Sequence, residues 1–462
     1  MTRVVVIGGG PGGYEAALVA AQEGADVTLI ERDGIGGAAV LTDCVPSKTL
    51  IATARSTSLA AESGDLGVRL HGKPIEFDSA GVDLRYVHRR IQLLVTAQSL
   101  DIESKLVTDG VTVLRGAARL TAGRQVEIFE GEQAGAIVDY DVLLLATGTR
   151  PRELRGAELD GERILNWKQV WNLTEPPERL IVVGSGVTGA EFAGAFAALG
   201  SNVTLVSSRE RVLPTQDPQA ADVVEEVFTR RGMQVLGRAR ALEVRRTDDG
   251  VQVTLEDGRI VDGSHCLLAV GSLPNTEGLG LGEAGVMTTE SGHIKTDRVS
   301  RTNVMGIYAA GDVTGVLALA SVAAMQGRIA MWHALGDAVT PLNLDEVSAA
   351  VFTDPEIATV GISPADVESG RIAGEVFTQN LDTNARAKMQ GLNDGFVKLV
   401  AFPDGRVAGG VIVATRASDL IHSISLAVHK GLSVDDLAQA FTVYPSLSGS
   451  IAEAARRLHQ VD

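Results

Sequence analysis

The sequence predicts an α/β fold with two parallel-sheet domains, and three observations predict it. A strand–glycine loop–helix–strand unit occurs twice. Each copy is followed by an apolar run that closes on glycine and proline, and a third apolar run ends in a glycine turn and an acid. The first unit reads VVVIGGGPGGYEAALVAAQEGADVTLIERDGIGG and the second LIVVGSGVTGAEFAGAFAALGSNVTLVSSRERVLP. In both, a β-branched run predicts a buried strand, an alanine-rich stretch predicts a helix, and Val-Thr-Leu predicts the returning strand.

Between strand and helix each copy carries G-x-G-x-x-G: Gly8, Gly10 and Gly13 in the first, Gly184, Gly186 and Gly189 in the second. The first glycine permits the tight turn, the second lets a pyrophosphate approach the backbone, and the third allows close helix–strand packing. The phosphates then sit at the positive end of the helix. One such motif is weak evidence, but two in full strand–helix context predict two Rossmann-like domains and two bound dinucleotides. The copies differ at the end of the second strand. Eighteen residues after Gly13 stands Glu31, placed to accept hydrogen bonds from a ribose hydroxyl pair. Eighteen after Gly189 stands Ser207, followed by Ser208, Arg209, Glu210 and Arg211. Serine removes the repulsion an acid would exert on a 2′-phosphate and the arginines can pair with it, so the second site is expected to accept NADPH at least as well as NADH.

The later runs are LLLATGTRP at 143–151 and LLAVGSLPN at 267–275, each typical of a chain leaving one domain for the next. GIYAAGDVTG at 306–315 predicts a strand, a tight turn at Gly311, and Asp312 held at a strand end where it can bond a polyol.

At 462 residues the chain has room for about three domains. A formal net charge of −17 and a pI near 5.0 argue against nucleic acid or an anionic membrane as partners. Two cysteines, Cys44 and Cys266, cannot form a disulfide framework and suit a reducing cytoplasm. The amino-terminal apolar stretch is broken by five glycines and a proline at 8–13, unlike a signal peptide. GVLALASVAAMQGRIAMWHALG contains Gln326, Arg328 and His333 and reads as a buried helix, not a membrane span. No metal site is expected.

With these motifs in order, the chain resembles the pyridine nucleotide–disulfide oxidoreductases, which include lipoamide dehydrogenase, glutathione reductase and mercuric reductase. The resemblance spans the whole length through GGAAVLTDCVPSK at 36–48, ATGTRP, the second fingerprint with Glu191, AVGSLPNTEGLGL, YAAGDVTG, VFTDPEIATVG at 351–361 and VYPSLSGSIAEA at 443–454. It implies an FAD-binding domain at 1–149, an inserted NAD(P)-binding domain at 150–275, a second part of the FAD-binding and central domain at 276–342, and an α+β dimerisation domain at 343–462. FAD would be held by Gly8, Gly10, Pro11, Gly12, Gly13, Glu31, Gly37, Ala38, Lys48, Ala146, Thr147, Gly148, Gly311, Asp312 and Ala318. NAD(P)H would be held by Gly184, Gly186, Val187, Thr188, Gly189, Glu191, Ser207, Arg209 and Gly271. Lys48 would pair with Glu191 near the flavin ring, where a cation favours the anionic reduced flavin.

The resemblance also shows what is missing. The family's disulfide is C-x-x-x-x-C, and its first position here is Ala39. Cys266 lies in a buried-strand pattern and is no obvious substitute. The family's His-Pro-Thr-x-x-Glu, which serves the thiols across the dimer, is Tyr444-Pro445-Ser446-Leu447-Ser448-Gly449. Tyrosine is a poor base near neutrality. Loss of a cysteine, its base and the base's partner, with both fingerprints intact, excludes lipoamide and glutathione reductase activity. What remains is hydride transfer from NAD(P)H to flavin N5 and then electrons to a flat oxidant in the space beside Ala38 and Ala39, for which quinones fit. GGAAVLTDC with the Tyr-Pro-Ser-Leu-Ser-Gly-Ser tail resembles the actinobacterial NAD(P)H-quinone reductases of this family. Rival readings are a soluble pyridine-nucleotide transhydrogenase, a peroxide reductase that cycles Cys44 through sulfenic acid, and a flavin-containing binding subunit. Cys44 is either a thiolate beside the flavin or a packed remnant, and Tyr444 either lines or fills the acceptor pocket of the other subunit.

Overall fold

The structure, a computed structural model, describes residues 1–74 and 81–459. The chain divides into two compact units: residues 1–49, 88–152 and 271–343, and residues 50–87, 153–270 and 344–462.

The first unit is built on a five-stranded parallel sheet in the order Ile307–Ala309, Val142–Leu145, Arg3–Ile7, Asp26–Glu31, Thr112–Arg115. Arg3–Ile7 sits at its centre because Val4, Val5 and Val6 are apolar on both faces, as a strand covered on both sides requires. The helix Pro11–Gln22 follows at once. Its first residue is a proline, whose missing N–H costs nothing at that position, and its alanines let it lie close to the sheet. Gly24, at φ +79°, ends it. The apolar stretch read as a buried helix is the helix Ala320–Leu335, packed on the same core through Ala330 and Met331. An added Cβ at its Gly327 would stand 2.1 Å from the Gly12 carbonyl oxygen, so the two helices meet backbone to backbone. No helix among the described residues is long and apolar enough to cross a membrane.

The 143–151 and 267–275 runs end in Thr149–Pro151 and Ser272–Pro274, which pair antiparallel. The two crossings of the chain therefore run side by side.

In the second unit the same parallel architecture recurs in the order Ile164–Asn166, His265–Leu268, Arg179–Val183, Asn202–Val206, Gln234–Leu236. The helix Val187–Ala198 repeats the first copy, down to Gly200 at φ +98° after its end. The unit also holds an antiparallel five-stranded sheet, in the order Ala349–Val351, Glu356–Gly361, Val407–Ala414, Phe396–Ala401, Glu375–Asn380. The helices Ala417–Lys430 and Gly449–Arg457 pack on its core. Lys398, on the Phe396–Ala401 strand, places its Nζ 2.8 and 3.0 Å from the carboxylate oxygens of Asp217, and both side chains are buried. Asp217 also caps the helix Pro218–Arg230, accepting from the Ala220 N–H. The α/β class, with two Rossmann-like parts and a C-terminal α+β part, is the one the sequence predicts.

Candidate active site

The first fingerprint is shaped by contacts that admit only glycine. Gly8 has φ +105°, and a Cβ on it would stand 2.3 Å from the Ala146 carbonyl oxygen; a Cβ on Gly13 would stand 1.8 Å from the Gly8 carbonyl oxygen. At Gly10 the nearest atom to an added Cβ is the Gly37 Cα, 3.9 Å away. The backbone there is bare, directly before the positive helix end at Pro11, and this fits a dinucleotide pyrophosphate.

Glu31 ends the neighbouring strand. Its Oε2 accepts from the Gly9 N–H at 2.5 Å, and its Oε1 accepts from the N–H groups of Asp33 at 2.6 Å and Gly34 at 3.2 Å. A carboxylate has about four acceptor sites. Glu31 thus shapes the loop while keeping capacity for a ribose hydroxyl. Thr147 and Asn275 lock the next turn: the Thr147 hydroxyl donates to the Asn275 carbonyl at 2.8 Å, and the Asn275 amide donates to the Thr147 carbonyl at 2.9 Å. Gly148 between them has φ +65°. The Gly311 N–H donates to the buried Gln326 Oε1 at 2.8 Å, which fixes the turn before Asp312. Ala318 is exposed just before the helix Ala320–Leu335.

GGAAVLTDCVPSK forms a short helix, Gly37–Leu41, and the start of a long one, Cys44–Glu62. The second therefore begins at Cys44, two residues before Pro46. Asp43, which the sequence reading passed over, sits at the junction with its N–H bonded to the Ala38 carbonyl at 2.8 Å. Burial pushes its carboxyl above the usual carboxylate range, Lys48 opposes that rise, and Asp312 adds to it. Asp312 is likewise raised by burial, with a hydrogen bond from the Thr149 hydroxyl at 3.4 Å pulling the other way. Lys48, Asp43 and Asp312 therefore form one electrostatic group in the first unit. The signal available for Asp43 was its place in the quoted stretch, five residues before Lys48.

In the second unit the constraints repeat. Gly184 (φ +110°) would bring a Cβ within 2.2 Å of the Ala269 carbonyl oxygen, and Gly189 within 1.8 Å of the Gly184 carbonyl oxygen, while Gly186 faces open space. This loop too fits a dinucleotide, with Val187 and Thr188 opening its helix; Gly271, at φ +97°, falls in the first unit. Glu191 is 4% exposed, and its Oε1 accepts from the Phe352 N–H at 2.9 Å. Phe352 lies in VFTDPEIATVG, and only the tertiary fold could show that this motif reaches Glu191.

Ser207 departs from the expected role. It is fully buried, and its hydroxyl is taken up by the Ser185 hydroxyl at 2.7 Å and by the Arg209 carbonyl and N–H, both at 3.1 Å. It can omit an acid's charge but cannot itself reach a ligand. Arg211 is held by Asp222 and Arg238 by Glu210, whereas Arg209 is exposed and its guanidinium has no acidic partner among the described residues.

The thiol positions are equally explicit. Cys44 is half-buried, Ala39 stands in the short helix Gly37–Leu41, and neither cysteine is in a disulfide. Cys266 is 0% exposed and its thiol is pushed far up by burial, which makes it inert. Tyr444 is 86% exposed, and Gly449 opens the helix Gly449–Arg457. No group of acids, histidines or cysteines that could hold a metal occurs among the described residues.

Known proteins share this arrangement. The chain matches the pyridine nucleotide-disulphide oxidoreductase family over residues 2–327 and that family's dimerisation domain over 347–455. It is 50% identical to an NAD(P)H dehydrogenase (quinone) of Mycobacterium tuberculosis, over 99% of this chain and 94% of that one. It is 35% identical to dihydrolipoyl dehydrogenase 2 of Haloarcula marismortui, over 98% and 96%. Its fold superposes on the crystal structure of LpdA from Mycobacterium tuberculosis with a TM-score of 0.94 and 49% identity, covering all of both chains. The chain belongs to the pyridine nucleotide-disulphide oxidoreductase family and is a flavoprotein oxidoreductase that uses FAD and NAD(P)H.

Proposed function

We propose that the chain is an NAD(P)H:quinone oxidoreductase with no disulfide reductase or lipoamide dehydrogenase activity. The observation that carries this reading is the joint absence of the thiol parts: Ala39 at the first cysteine position before Cys44, Tyr444 and Gly449 in place of an acid–base pair, and Cys266 sealed in a strand. The name of the 50% identical relative supports it. Bound in the first unit, FAD supplies two-electron chemistry that a nicotinamide can feed and a quinone can drain. Lys48 provides fixed positive charge where negative charge develops. We assign Glu191, fixed by the Phe352 N–H, to the same step; a double-mutant cycle on the flavin reduction rate measures their coupling. Purified protein is expected to oxidise NADPH with menadione or benzoquinone and to show no turnover with lipoamide. Absence of quinone turnover would reject the reading.

Reduction of a quinone to its hydroquinone takes two electrons and two protons; a hydride equivalent brings both electrons and one proton, and the second proton comes from an acid or the medium. We assign the protein's acid to Asp43. Its raised carboxyl stays protonated to higher pH than an ordinary aspartate, and its N–H bonds the Ala38 carbonyl. Because the protonated form is the active one, quinone turnover should fall as pH rises through that raised value. Asp43→Asn should abolish this limb while leaving flavin reduction by NADPH within about twofold.

Arg209 is the residue free to meet a 2′-phosphate. Arg209→Glu should raise the KM for NADPH by about tenfold or more and leave that for NADH within about twofold. Equal effects on both would exclude this role. We take Cys44 as a packed remnant: Cys44→Ala should keep quinone turnover, and its loss would favour the peroxide reading instead.

We further infer a cytoplasmic homodimer with FAD-binding segments at 1–149 and 276–342, an NAD(P)-binding segment at 150–275 and a dimerisation segment at 343–462. The family match over 347–455 supports the last of these, as do the exposed Phe441, Val443 and Tyr444. Sedimentation of the holoprotein at twice the chain mass of 48.3 kDa is the expected result.

A further inference from the structure

The second unit contains a cavity of about 300 Å³ whose wall, Glu191 and Phe352 apart, is made of residues with no part in the proposed reaction. One wall is the later turns of the helix Cys44–Glu62, presenting Ile51 and Ala54. Another is the far half of the helix Val187–Ala198, and Phe228 and Met233 close the third. The wall is apolar because small residues recur along both helices, leaving a gap that no larger side chain fills. The volume is about twice that of a cavity known to hold benzene and lies at the lower end of ligand pockets.

Two features point to an occupant. Ser58 lines the cavity, is 7% exposed, and its hydroxyl has no hydrogen-bond partner among the described residues. The hydroxyl is not sealed off, so a polar group of a ligand in the cavity can complete it. The charges around the cavity are also unequal. Arg231 pairs with Asp354 at 2.9 Å and Glu62 at 3.1 Å, and Arg55 stands 3.8 Å from Glu356. With Glu191, four carboxylates face two guanidinium groups. That balance rejects anions and favours a hydrogen-bond donor.

We propose that this cavity is a binding site for a neutral or cationic two-ring aromatic molecule bearing an N–H or O–H group, which bonds the Ser58 hydroxyl. The site is separate from the nucleotide loop, since it lines the opposite end of the fingerprint helix from Gly184, Gly186 and Gly189. Glu191, two residues after Gly189 in the chain, nevertheless lines the cavity. An occupant therefore alters flavin reduction without competing with NADPH, and this second part rests on the role assigned above to Glu191.

Saturation-transfer NMR and fluorescence titration of the holoenzyme with 1-naphthylamine test the site. Binding should persist in saturating NADP⁺, and naphthalene should bind several-fold more weakly. Ser58→Ala should erase the difference between the two probes, and Ala198→Leu, which fills the cavity, should weaken both by tenfold or more with quinone turnover unchanged. Displacement by NADP⁺, no binding at millimolar probe, or binding indifferent to Ala198→Leu would overturn the proposal. Binding that follows these variants but leaves the flavin reduction rate untouched keeps the site and overturns the coupling. Loss of quinone turnover in unmodified protein bears only on the proposed function.

Discussion

Gly13→Ala is expected to yield a protein with little or no flavin. The added Cβ would stand 1.8 Å from the Gly8 carbonyl oxygen, and the contact is backbone on both sides, so no rotamer change relieves it. The helix Pro11–Gln22 must move off the sheet, at a cost of about 3 kcal/mol, and the phosphate loop moves with it. Gly189→Ala makes the same clash in the second unit, 1.8 Å from the Gly184 carbonyl oxygen. It should retain flavin and raise the KM for NAD(P)H by about a hundredfold. Absorbance of bound flavin and steady-state kinetics on the pair separate the two loops. The same defect in both variants would contradict the assignment of one dinucleotide to each.

Lys48→Met should slow flavin reduction by about 10²–10³-fold in stopped-flow mixing with NADPH, while flavin content stays near that of the unmodified protein. The substitution keeps most of the side chain's length and removes the charge that lowers Asp43. Asp43 should then titrate higher, so the alkaline fall in quinone turnover should shift to higher pH. Lys48→Arg restores the charge and should recover part of the rate. A Lys48→Met enzyme with a normal reduction rate would remove Lys48 from the mechanism.

The fold was legible because its signals are local. Val4–Val6 and Leu180–Val182 announce buried parallel strands, and the glycine triplets demand turns and contacts that few other structures need. The loop glycines were legible because one residue does one task, as with Gly8 and Gly184. The site was less legible where a task depends on packing. Ser207 read as an open substitute for an acid, yet Ser185, distant in sequence, consumes its hydroxyl. Asp43 carried no sequence signal of its role because its raised protonation arises from burial and from Asp312 on another segment. Phe352 meets Glu191 through its N–H, which every residue but proline carries, so no side-chain pattern could mark that contact.

The antiparallel contact of Thr149–Pro151 with Ser272–Pro274 has a consequence for synthesis on the ribosome. The first unit's sheet needs Ile307–Ala309 beside Val142–Leu145, so it stays incomplete long after its own amino-terminal strands have emerged. The parallel sheet of the second unit has its last strand at Leu268. The later-encoded nucleotide sheet is therefore the first whose strands are all available. At about 5–20 residues per second, the roughly 40 residues that separate the two events amount to about 2–8 s. During that interval the edge of Val142–Leu145 awaits its neighbour, and flavin can be captured only after the ribosome has passed Asp312.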